Sequence, residues 1–116
     1  FGDEGRVLTA LSEGNWDRAQ GLAIEADGKL VVAGWVYEGG GSAGNFALVR
    51  YDGSGELDPD FGDEGIVITE VVGPMKRDEA TAVLLQTDER VPTVRVLVAG
   101  WANVSDADFA VARYWR

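Results

Sequence analysis

The sequence predicts an all-β protein made of two four-stranded antiparallel units. Three observations carry that expectation. The chain of 116 residues repeats itself. No stretch keeps an apolar period of 3.6 residues over helical length. Its 16 glycines fall mostly where turns are needed. The repeat is read by laying the chain on itself. Phe1-Gly-Asp-Glu-Gly-Arg-Val-Leu-Thr9 recurs as Phe61-Gly-Asp-Glu-Gly-Ile-Val-Ile-Thr69. Ala19–Asp27 matches Ala80–Asp88, Leu30–Trp35 matches Val96–Trp101, and Asn45–Tyr51 matches Asp108–Tyr114. Four blocks agree in order, and the spacing changes only between them. The expected units are residues 1–60, four strands and a linker, and residues 61–116, four strands with no outgoing linker.

The first unit reads as strands over Arg6–Leu11, Gln20–Glu25, Lys29–Val36 and Phe46–Tyr51. The second reads as Ile66–Val72, Thr81–Gln86, Arg95–Trp101 and Phe109–Tyr114. Asp27-Gly28 between two apolar runs is a tight-hairpin signal, because Gly accepts a positive φ without steric cost. The second unit replaces that turn with Asp88–Val94, expected as a longer loop stopped by Pro92.

A strand with one wet face alternates apolar and polar residues. Leu30-Val-Val-Ala33, Val96-Leu-Val-Ala99, Phe46-Ala-Leu-Val49 and Phe109-Ala-Val-Ala112 do not alternate. The inner strands are therefore expected to be covered on both faces. A two-sheet sandwich covers one face of each sheet. Sheets packed radially, as propeller blades, have a neighbour on either side. Two blades cannot close such an arrangement, so it is expected to be completed by oligomerisation or by further repeats.

Composition narrows the chemistry. His and Cys are both absent, which removes disulfides, thiol chemistry, imidazole triads and the usual zinc sites. The formal net charge of −10 repels a phosphate backbone and argues against nucleic acid as a partner. No apolar run approaches the roughly 20 residues of a membrane-spanning helix, so no membrane span is expected. Phe1 stands first in place of Met, which suits a processed product, a fragment or an incompletely recorded chain, any signal peptide having already gone.

The repeated blocks resemble the bacterial delta-60 repeat family, a propeller-like β repeat of about sixty residues. The residues that carry the likeness are Phe1-Gly-Asp-Glu-Gly5, Asp27-Gly-Lys-Leu-Val-Val-Ala-Gly34, Phe46-Ala-Leu-Val-Arg-Tyr51, and Gly55-Glu-Leu-Asp58 leading into Phe61-Gly62. The second copy departs from the pattern at Asp88-Glu-Arg90. The resemblance implies a β-propeller module of a secreted or cell-surface bacterial protein, and it brings no catalytic residues with it.

Candidate sites follow from the repeat. Trp16, Trp35, Tyr37 and Trp101 are expected near one end of the sheets, as an aromatic platform for a sugar or a protein, or as rings packed between sheets. Phe1, Phe61, Arg50 and Arg113 are expected at an assembly seam. Each arginine should pair there with a carboxylate of a Phe-Gly-Asp-Glu-Gly turn. Asp52, Ser54, Glu56 and Asp58 alternate as in some calcium loops, but Leu57 and Asp63 stand where an EF-hand needs Gly and Glu. The other reading of that loop is a solvated turn, and no cofactor is expected. Asp3-Glu4 and Asp63-Glu64 are paired carboxylates on tight turns, read as surface rather than as an acid–base pair. Asn103-Val104-Ser105 is a glycosylation sequon. The expected function is non-enzymatic: a scaffold that associates with itself into a ring or filament, or with neighbouring repeats of a longer chain. The alternative is a carbohydrate- or ligand-binding propeller.

Overall fold

A computed structural model describes residues 1–13, 16–37, 44–73, 76–88 and 90–115. The strands are β1 (Asp17–Ile24), β2 (Leu30–Tyr37), β3 (Gly44–Tyr51), β4 (Ile66–Thr69), β5 (Asp78–Asp88), β6 (Val91–Asn103) and β7 (Ala107–Trp115). They form two antiparallel sheets, one in the order β1-β2-β3-β4 and one in the order β5-β6-β7. The described residues contain no helix.

The all-β expectation holds, but the split is four and three rather than four and four. The reason lies in β4. It belongs to the second repeat by sequence, yet it pairs with β3 of the first sheet, Phe46 opposite Thr69 and Val49 opposite Ile66. Its counterpart, expected as a strand over Arg6–Leu11, forms only an isolated bridge between Asp3 and Arg6. A strand exists where a neighbour completes its ladder, and the described residues offer Val7–Leu11 none. The loop expected over Asp88–Val94 is also shorter than its sequence suggested. β6 already begins at Val91, opposite Asp88, with a register shift between Thr87 and Asp88.

Successive side chains of a strand point to opposite faces. On the first sheet Val31, Ala33, Phe46 and Leu48 share the face that meets the second sheet, where Val96, Val98, Ala102 and Ala110 meet them. Val67 of β4 and Phe61 extend this core. Phe46, Leu48 and Phe61 are almost wholly buried, each contributing about 2 kcal/mol of transfer free energy. The apolar runs of β2 and β3 are therefore covered as expected. Val36, Ala47 and Val49, on the face away from the second sheet, are buried too.

The second sheet is covered on one face only. Phe109 and Val111 of β7 and Leu84 of β5 stand exposed on the other. In the repeat, Phe109 corresponds to Phe46 and Val111 to Leu48. Equivalent residues are core in one sheet and surface in the other.

Local hydrogen bonds recur with the same spacing. Asp3 and Arg6 exchange backbone bonds around Glu4-Gly5, as do Asp63 and Ile66 around Glu64-Gly65. Both central residues have positive φ in each turn, 50° at Glu4 and at Glu64, which is the requirement of a type I′ hairpin. The Tyr51 hydroxyl donates to Thr9 Oγ1 at 2.6 Å, and the Tyr114 hydroxyl donates to Thr69 Oγ1 at 2.8 Å. Leu11 N–H donates to Asp17, and Val71 N–H donates to Asp78, each at 2.7 Å. Segment 7–11 thus lies against the first sheet as β4 and its exit lie against the second.

Candidate functional site

Three of the four aromatic residues expected at one end, Trp16, Trp35 and Tyr37, line a common cleft. Trp16, Arg18, Trp35, Tyr37 and Arg77 line a cleft of ≈ 400 Å³. β2 supplies Trp35 and Tyr37, two positions apart and so on one face. Their rings meet edge to face with centroids 5.7 Å apart. Trp16 precedes β1 and is held by its carbonyl, which accepts from Tyr37 N–H at 2.9 Å. Its ring is exposed and Trp35 is buried. Trp101 does not line the cleft but is joined to it. The Arg77 guanidinium lies 5.5 Å from the Trp35 ring and 5.7 Å from the Trp101 ring. Both are within cation–π range. Arg77 also pairs with Glu79. Trp35 Nε1 is buried and has no hydrogen-bond partner among the described residues. Arg18 and Arg77 were missed as sequence candidates. Position 77 corresponds to Trp16, so the repeat pointed to the place while the change of residue type hid it.

The seam residues divide sharply. Arg50 is buried, with its Nε 2.8 Å from Asp58 Oδ2 and its Nη1 3.6 Å from Glu25 Oε1. Lys29 Nζ reaches the same Asp58 oxygen at 2.7 Å. The Arg50 guanidinium lies 4.7 Å from the Phe61 ring. Its carboxylate partners therefore come from the linker and from the end of β1, not from the Phe-Gly-Asp-Glu-Gly turn as expected. The turn contributes its phenylalanine instead, because Asp63 and Glu64 point outward on the I′ hairpin. Arg113 is exposed and has no ion-pair partner among the described residues. Phe1 is half exposed where Phe61 is buried.

Asp58 titrates below the usual carboxylate range, chiefly because Lys29 bonds to its charged form, with Arg50 adding to the effect. Asp78 moves the other way. It is fully buried, and loss of water outweighs the bond from Val71 N–H, so its carboxyl is pushed up. Tyr114 is raised, again by burial first.

The alternating oxygen residues of the linker are used within the turn. Asp52 Oδ1 accepts from the hydroxyl and N–H of Ser54 and from the N–H groups of Gly55 and Glu56, at 2.7 to 3.0 Å. The Ser54 hydroxyl is the largest cause of its lowered pKa. Asp58 turns away to Arg50 and Lys29. No three Asp or Glu side chains converge on a common point among the described residues. Asp3 and Glu4 sit on an exposed turn, where the Glu4–Arg6 ion pair at 2.9 Å adds little stability.

Residues 25–61 match a family described as a β-propeller domain of unknown function (DUF5122). That stretch runs from Glu25, a partner of Arg50, to Phe61 beneath it, and so takes in β2, β3 and the linker. The chain is thus similar to a β-propeller-type repeat family over about a third of its length. No curated protein and no solved structure gives a significant match. No helix of the described residues is long and apolar enough to cross a membrane.

Proposed function

We propose that this chain is a non-enzymatic structural and interaction module, built of two copies of one propeller repeat of the delta-60 kind. It associates through its sheet faces into a ring or filament, or with neighbouring repeats of a longer protein, at a bacterial surface or outside the cell. The observation that carries this reading is the outward face of the second sheet. Phe109 is fully exposed there, and Leu84, Val111 and Trp115 are largely exposed. Contiguous apolar surface of this kind marks an interaction site. The β-propeller match over residues 25–61 supports the fold side of the reading. Light scattering with negative-stain images tests it. A mass that is a multiple of 12.4 kDa, seen as rings or fibres, is the expected result. A monodisperse 12.4 kDa particle at every concentration overturns it.

A second reading has its own support. The ≈ 400 Å³ cleft combines an exposed Trp16 ring, Tyr37 and the guanidinium groups of Arg18 and Arg77, with Trp101 close by. Aromatic faces beside fixed donors suit a sugar or another small polar ligand. Titration with a glycan panel while following tryptophan fluorescence checks it. A saturable change abolished by Trp16→Ala supports the reading, and no change with any glycan counts against it.

A further inference from the structure

We propose that a second copy of the chain docks head to tail, adding its residues Arg6–Thr9 as a fourth strand on the outer edge of β7. This rests on the self-association just proposed and gives it one edge, one register and one direction. β7 pairs with β6 on one side, and among the described residues no strand pairs with its other side. Its equivalent, β3, carries β4 in that place. The occupant is identified by sequence, because Arg6-Val-Leu-Thr9 is the repeat partner of Ile66-Val-Ile-Thr69. Transferring the observed register puts Thr9 opposite Phe109, Leu8 opposite Ala110, Val7 opposite Val111 and Arg6 opposite Ala112.

The rest of the two surfaces agrees with this placement. Leu8 is fully exposed, as is Phe109. Thr9 already bonds to Tyr51 of its own sheet, as Thr69, while paired with β3, bonds to Tyr114 of the next. One short segment can therefore join two sheets, and the chain contains a worked instance of it. In the docked pair, the exposed face of the second sheet meets Leu22 and Ile24 of the neighbour, which are also exposed. Their repeat equivalents, Val83 and Leu85, pack on the internal core. Phe1 of the neighbour would reach Arg113 as Phe61 reaches Arg50. Trp16 of the neighbour would meet Trp101 as Arg77 meets Trp35. That last equivalence is backed by geometry: Tyr37 N–H donates to the Trp16 carbonyl at 2.9 Å, and Asn103 N–H to the Arg77 carbonyl at 2.8 Å. The contact uses different surfaces on the two copies, so it propagates until rotation closes it into a ring.

Because the chain has no cysteine, cross-linking reads the register directly. Residues directly opposite on antiparallel strands have Cα atoms about 4.5–5.5 Å apart, within disulfide reach. Two full-length proteins, one Val7→Cys and one Val111→Cys, are mixed and oxidised. The expected product is a heterodimer at twice the chain mass, several-fold more abundant than with Val7→Cys and Ala112→Cys, whose side chains would point to opposite faces. Phe109→Asp, changing a residue that is surface in the single chain, should return the mass to that of one chain with its circular dichroism unchanged. If the wild-type protein is oligomeric but the two pairs cross-link equally, the edge and register are wrong while self-association stands. If the wild-type protein is monomeric throughout, both readings fall.

Discussion

Buried charge in this chain is of two kinds, and they predict opposite responses. Asp58 is held by Lys29 and Arg50. Removing it takes from Arg50 its shorter ion pair and leaves the one to Glu25 at 3.6 Å, so the cost is about 3 kcal/mol, the low end for breaking a buried pair. Asp58→Ala should therefore destabilise strongly in urea melts at pH 7. The pH dependence has a definite sign. Since the folded pKa is depressed, the stabilisation from Asp58 is complete above the ordinary pKa of 3.8 and is lost as pH falls below it through the folded value. The Asp58→Ala protein should show a weaker fall in stability below pH 4 than the parent. Asp78 has its pKa raised by burial, so its charge costs stability above the folded value, and the cost is relieved as pH falls towards 3.8. Its Oδ2 accepts from Val71 N–H, whereas Oδ1 is buried without a partner among the described residues. Asp78→Asn keeps an acceptor for Val71 and removes the buried charge. It should leave the unfolding free energy unchanged or raise it by about 1 kcal/mol, and a loss on the scale of Asp58→Ala would show that the charge itself is needed.

At the level of strands, the two sheets repeat an irregularity as well as a pattern. β1 pairs with β2 through a register shift between Ala19 and Gly21, and β5 with β6 through one between Ala80 and Ala82. Opposite each bulge stands a glycine, Gly34 or Gly100. A Cβ there would collide with the carbonyl oxygen of Arg18 or of Glu79. Neither backbone can give way without breaking the ladder. Gly34→Ala and Gly100→Ala should each cost about 3 kcal/mol in thermal or denaturant melts, while Gly53→Ala, with open space around it, serves as the neutral control. The repeated Val-Ala-Gly-Trp block showed these glycines as equivalent, but the bulge they face could not be read from it. The doubly apolar runs of β2 and β3 were legible as buried, but the matching run of β7 leaves Phe109 and Val111 exposed, so burial depends on the neighbour a sheet has and not on the run alone. Pairing across the repeat boundary was not legible. Ile66–Thr69 and Arg6–Thr9 look alike as strings, and only the presence of β3 beside the first makes it a strand. The partners of Arg50 were misread for a related reason. Two acidic residues follow Phe61-Gly62, but the I′ turn directs them outward and leaves Phe61 to meet the guanidinium. The tryptophans at 35 and 101 were legible as a repeat, whereas the cleft also depends on Arg18 and Arg77, whose repeat counterparts, Glu79 and Trp16, are of another type.

Over the whole molecule, charge and apolar area work against one another. Each chain carries a formal charge of −10, so bringing copies together is opposed by repulsion. The surfaces proposed to meet are apolar: Phe109, Val111 and Leu84 on one side, Leu22 and Ile24 on the other. Salt therefore separates two kinds of seam. Screening shortens the range of repulsion from about 30 Å at 0.01 M to about 3 Å at 1 M, while leaving apolar burial in place. Association should strengthen as salt rises, with the oligomer forming at lower protein concentration. It should also strengthen as pH is lowered from 7 towards the pI near 4.2, since net charge falls. The acidic limit lies below that range, because Asp58 keeps its charge to lower pH than an ordinary carboxylate and so preserves the Arg50 cluster within the subunit. Sedimentation velocity across a salt series is the measurement. Dissociation by salt would mean that ion pairs hold the copies together, and the exposed face of the second sheet would then be serving some other partner.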